Sequence, residues 1–131
     1  MNNKFLKYKF WELLILEASQ DDVGIWEIIY KLSFAFPQSN EDERKVMTLE
    51  IVREYLENGL MELGDFECNN EKGYEFKLWN LDIDSAIDRI DTEWSQLGTE
   101  PSVGDIAFLI TTEKGDREAD KILQRKNEDS Q

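Results

Sequence analysis

Seven carboxylates stand between residues 82 and 105 (Asp82, Asp84, Asp88, Asp91, Glu93, Glu100 and Asp105) against a single base, Arg89. This is the densest charge in the chain, a local excess of six negative charges. Clustered carboxylates can hold a divalent cation, share a proton, or face a cationic partner. The run lacks the central Gly and the terminal Glu of a calcium loop, so it gives no metal-site pattern. Asp84, Asp88 and Asp91 recur at helical spacing, so they form one stripe on a helix. A stripe of that kind is either solvated or docked against a basic surface.

The rest of the chain offers little to a reaction. It contains no histidine, which removes the commonest general base, the commonest metal ligand and every Ser-His or Cys-His pair. Cys68 is the only cysteine, so no intramolecular disulfide or thiolate cluster forms, and its neighbours Glu67 and Glu71 disfavour a thiolate. The expectation is a protein that is not an enzyme, with no cofactor and no metal. A formal charge of −14 and a pI near 4.3 repel nucleic acid and anionic membranes and draw basic partners inward.

The elements that position these groups are legible from periodicity. Hydrophobic residues make up 40% of the 131 residues, enough for one core and one domain. Phe5 to Ala18 reads as a first helix, with Phe5, Leu6, Tyr8, Trp11, Leu14, Ile15 and Ala18 on its apolar face. Asp21 or Asp22 is expected to cap a second, whose apolar positions are Val23, Ile25, Trp26, Ile29, Tyr30 and Leu32. Ser39 is expected to open a third, with Asp42 in a capping-box position, Val46, Leu49, Ile51, Val52 and Leu56 buried, and Asn58-Gly59 as the stop. Leu60 to Leu63 reads as a strand, and the alternation of Tyr74, Phe76 and Leu78 as another, with residues 69–73 as the turn of a hairpin. Asp82 or Asp84 starts a fourth helix ending at Gly98. Ile106 to Ile110 is a buried strand, and Thr111 or Thr112 caps a last helix running toward Leu123. Residues 1–123 are then one domain, and 124–131 a polar tail that frays. No apolar run approaches the roughly 18 residues of a membrane span. The start of the chain alternates Lys with aromatics and has no cleavage pattern, so a cytoplasmic protein is expected.

The run Val52, Leu56, Gly59, Leu60 and Met61 resembles the helix-Gly-strand step of the winged-helix superfamily. Thr112, Gly115 and Ala119 are similar to the strand-to-helix step of PadR-like and MarR-like regulators. The resemblance implies an α+β, winged-helix-like domain of about five helices with a small antiparallel sheet. It also implies DNA contacts from the third helix and the wing, carried here by Arg44, Lys45, Arg53 and Lys72. Charge argues the other way, because the third helix opens with Glu41, Asp42 and Glu43. Duplex DNA carries about one negative charge per 1.7 Å of axis and favours proteins that neutralise it.

The leading expectation is therefore a non-enzymatic acidic module that binds a basic protein, similar in character to an immunity or antitoxin protein facing a toxin. Its contact residues are Asp82, Asp84, Asp88, Asp91 and Glu93, with Trp79 as the aromatic anchor. Nucleic acid and membrane are disfavoured partners. The alternative is a homodimeric winged-helix transcriptional regulator that binds DNA.

Overall fold

The computed structural model describes residues 10–71 and 73–129. These form an α+β fold of five helices and a four-stranded antiparallel sheet. The order is α1 (Trp11–Gln20), β1 (Val23–Gly24), α2 (Ile25–Ala35), α3 (Glu41–Glu57), β2 (Met61–Asn69), β3 (Gly73–Leu78), α4 (Ile83–Leu97), β4 (Phe108–Thr111) and α5 (Glu113–Asp129). The positions from Phe5 to Lys9 expected in the first helix lie outside the described residues.

Across the sheet the strands run β1-β4-β2-β3. The β2–β3 hairpin is joined in sequence, whereas β4 returns after α4 to lie between β1 and β2, pairing Leu109 with both Val23 and Leu63. Side chains on a strand alternate between faces. Leu63 and Leu109 thus point into the core made with Leu14, Ile15, Ile25, Ile28, Leu32, Val52 and Ile122. Phe66, Phe76 and Phe108 take the other face, their rings meeting edge to face 4.8–5.2 Å apart, and Trp26 extends the row beyond Phe108 at 5.2 Å. Gly64 sits beneath this row, where a β-carbon would strike the Phe76 ring and the Lys77 carbonyl.

Several expected boundaries shift. Val23 and Gly24 are a short strand, not the first turn of the second helix, and α2 begins at Ile25 with the Gly24 N–H donating to Glu27 Oε2 at 2.6 Å. Pairing with β4 on one side and the Ile25 N–H to Ala107 O bond hold that backbone extended. At α3 the cap is Asn40, not Ser39: Asn40 Oδ1 accepts from Glu43 N at 2.9 Å while Glu43 Oε1 accepts from Asn40 N at 3.0 Å, a reciprocal box. Ser39 instead donates to Phe36 O. Tyr30 and Val46, expected in buried stripes, are exposed. Helix α5 continues to Asp129 rather than ending near Leu123, packed along α1 with Arg125 toward Glu12 at 3.7 Å.

The end of α3 is clasped by the start of α5. Gly59, at φ +67, takes the left-handed turn that ends α3. The carbonyls beyond it are then claimed: Lys114 Nζ donates to Asn58 O, Thr112 Oγ1 to Gly59 O and Thr112 N to Leu60 O. Thr112 Oγ1 in turn accepts from Gly115 N and caps α5. Among the described residues no helix is long and apolar enough to cross a membrane.

Candidate protein-binding surface

Helix α4 buries Ala86, Ile87, Ile90 and Trp94 and packs on α3. Its N-cap is Asp82, whose Oδ1 accepts from Ser85 N at 2.8 Å; that hydrogen bond holds the Asp82 carboxyl below the usual range. At the other end Gly98, at φ +70, closes the helix, and the chain leads through Glu100 and Pro101 to β4.

The acidic stripe of α4 lies against the basic positions of α3, and the two helices run antiparallel. Arg53 reaches Asp84 at 2.9 Å near one end; Lys45 reaches Asp91 at 2.6 Å and Ser95 Oγ at 3.0 Å near the other. Trp94 sits just beyond that second pair, its Nε1 3.4 Å from Glu41 and its ring 5.8 Å from the Lys45 ammonium. Just past α4, Glu100 takes Arg44 through two bonds, from Nε at 2.8 Å and from Nη2 at 3.2 Å, while Arg44 Nη1 also donates to Ser39 O. The Glu100 hydrogen bond raises the Arg44 pKa, and the Asp84 bond raises that of Arg53.

Each α3 cation expected to touch DNA is thereby engaged by α4 or the loop after it. Lys72 falls outside the described residues. Of the expected partner-binding carboxylates, Asp84 and Asp91 pair with α3 from an exposed position, Asp82 caps, and Glu93 holds Arg89 at 2.6 Å. Asp88, on the same stripe between Asp84 and Asp91, is exposed and forms no ion pair among the described residues. Trp79 is half-buried: its Nε1 donates to Asp65 at 2.9 Å and the Arg89 guanidinium lies over its ring at 3.8 Å. Its ring face is covered by Arg89, with only part of its surface left to a partner. Among the described residues no three carboxylates or thiols come together in a metal-holding arrangement.

A second surface was not read from the sequence. Tyr30, Phe34 and Val103 are 64%, 70% and 80% exposed, large apolar side chains facing water. Tyr30 and Phe34 meet edge to face at 4.9 Å, and Tyr30 and Val103 line a groove of about 580 Å³ between α2 and the 100–103 loop, with Trp26 and Pro101 also in its wall. The signal available was the Tyr30–Phe34 pair at i,i+4; its geometry also fits a buried helix face, which is how Tyr30 reads in isolation.

No protein-family profile, curated protein or solved structure matches this chain.

Proposed function

We propose that this chain is a non-enzymatic, acidic protein-binding module on a winged-helix-like scaffold. Its role would be to hold a basic protein in the cytosol, as an immunity or antitoxin protein holds a cationic toxin. The observation that carries this reading is the engagement of α3's cations by the chain's own acids. Together α3 and α4 bear ten carboxylates against four cations, so six negative charges remain after every cation is paired. Such a face offers nothing to phosphates and attracts a basic surface at long range, which raises association rates more than it raises affinity.

The scaffold reading draws on the order α1-β1-α2-α3 followed by β2 and β4, with β1, β4 and β2 adjacent in the sheet. In that frame β3 and α4 are an interposed unit, and α4 covers the helix that would otherwise face DNA. The absence of histidine supports a role in binding rather than in acid–base chemistry.

Affinity capture from the native lysate at low salt, with and without nuclease, tests the reading when wild type is compared with Asp88→Lys. Asp88 is the informative position because its reversal alters the field without breaking an ion pair seen among the described residues. The expected result is a basic protein retained after nuclease treatment and bound more slowly by the variant. Retained duplex DNA, or partners that vanish with nuclease, would instead revive the dimeric regulator.

A further inference from the structure

The groove between α2 and the 100–103 loop has the features of a docking site that the α4 face lacks. Its wall is apolar, from Trp26, Tyr30, Pro101 and Val103, and Phe34 continues that surface along α2. Exposed aromatics gathered beside a concavity are the residue types that dominate interface energetics. Trp26 also joins the groove to the aromatic row on the outer face of the sheet through Phe108.

The loop wall is held in shape. Asp105 Oδ2 accepts from Ser102 N at 2.8 Å and from Ser102 Oγ at 3.2 Å, and Asp105 N donates back to Ser102 O at 3.0 Å. Ala107 N then donates to Asp105 O across Ile106, whose φ of +71 is rare for a β-branched residue. Val103 is therefore presented at the tip of a braced turn. A wall that is already ordered loses less freedom on binding.

Charge selects the occupant. Glu17, Glu27 and Glu100 line the groove; Lys31 pairs with Glu17 at 2.9 Å and Arg44 holds Glu100, so the excess negative charge of the rim lies at Glu27 and the neighbouring Asp22 and Asp21. A second copy of this chain would bring its own −14 charge to an already negative rim. A segment with apolar residues on one side and Lys or Arg on the other meets both the wall and the rim.

We propose that this groove binds an amphipathic, lysine- or arginine-bearing segment of a partner polypeptide, seated on Tyr30, Trp26 and Val103 with its cations toward Glu27. The proposal rests on the reading that the partner is a basic protein and assigns it a second contact, away from α4.

The test uses three labelled synthetic peptides of about 18 residues. One places leucines at helical spacing among lysines, one replaces those leucines with serine, and one replaces the lysines with glutamate. Fluorescence anisotropy against the full chain is expected to show binding of the Lys/Leu peptide alone. The pair Tyr30→Ser with Val103→Ser, both at exposed positions, is expected to weaken it about tenfold. Asp120→Lys, a charge reversal on α5 outside the groove, is expected to change it less than about threefold. No binding of the Lys/Leu peptide, equal binding of the Lys/Ser peptide, or equal binding to the Tyr30/Val103 variant would each overturn the proposal. So would a concentration-dependent dimer in sedimentation that the same variant abolishes, since the occupant would then be a second copy. Loss of the lysate partner with Asp88→Lys, alongside peptide binding indifferent to Tyr30 and Val103, rejects the groove and leaves the broader reading standing.

Discussion

Arg44 holds Glu100 with two nitrogens of its guanidinium fork, Nε to Oε2 at 2.8 Å and Nη2 to Oε1 at 3.2 Å. The pair ties the first turns of α3 to the chain leaving α4, 56 residues later. With side chains only 18% and 28% exposed, it is better shielded than the other α3–α4 pairs. Two-point geometry also makes it stronger than a single-contact surface pair. A double-mutant cycle with Arg44→Ala and Glu100→Ala is expected to give a coupling of about 1 kcal/mol in urea unfolding. Arg44→Lys should lose most of that coupling, because an ammonium cannot reproduce the fork. A coupling indistinguishable from zero would mean the contact is solvated and holds nothing.

Gly115 lies in the first turn of α5, where a β-carbon would run into the Leu60 carbonyl and come within 3.1 Å of Thr111 Cβ. Alanine in a helix ordinarily stabilises relative to glycine by about 1 kcal/mol. Here the expected sign is reversed. Gly115→Ala should destabilise by about 1–3 kcal/mol, because the obstacle is backbone that cannot rotate away. The urea midpoint decides it, and an upward shift would refute the close approach of α5 to Leu60.

Asp22 has its pKa raised from 3.8 to about 6, first by burial and then by Asp21, through a hydrogen bond and like charge, and by Glu27. The folded state therefore holds this proton more tightly than the unfolded chain does. Between pH 3.8 and about 6 stability falls as pH rises, and above that range the cost of a charged Asp22 is fully present. Asp22→Asn should raise stability near pH 7.5 by on the order of 1 kcal/mol once solvent screening is discounted. At pH below 3.8 the gain should disappear. Thermal melts of both proteins across that range measure the difference, and a gain that does not depend on pH would exclude the titration of Asp22 as its source.

The elements were legible where one local signal was unopposed. Asn58-Gly59 and Gly98 mark helix ends because a left-handed residue fits there, and Asp82 and Asp84 both offered a start before an apolar period, of which Asp82 is the cap. β1 was not, because Val23 lies at helical spacing from Trp26 and Tyr30, and only pairing with Leu109 from the far end of the chain makes it extended. Ser39 and Asn40 offered the same capping chemistry one residue apart, and the reciprocal bond with Glu43 favoured Asn40. The stripe of Asp84, Asp88 and Asp91 was correctly placed on one helix, yet nothing local reveals that it faces Lys45 and Arg53. Long-range pairing is decided by how α4 packs on α3. The Tyr30–Val103 groove was illegible for the same reason, since its walls come from α2 and a loop about 70 residues away.

Removing the acids that hold α3's cations provides the sharpest test between the two functional readings. The triple variant Asp84→Asn, Asp91→Asn, Glu100→Gln releases Arg53, Lys45 and Arg44 from their partners in α4 and the following loop. If α4 merely masks a DNA-binding helix, duplex affinity should emerge at low salt, with a log–log salt slope near that of about three phosphate contacts. We expect no such gain. The formal charge moves only from −14 to −11, and α3 itself still carries six carboxylates beside its three cations, beginning with Glu41, Asp42 and Glu43 at the end that would approach the groove. The freed cations would turn to Glu57 and their other neighbours on the same helix, as Arg53 already does at 3.5 Å. Anisotropy of a labelled random-sequence duplex across a salt series reads the outcome directly. Binding that appears in the variant and weakens with salt at the predicted slope would make α4 a removable cover over a nucleic-acid surface; a flat response removes that masked surface from the account.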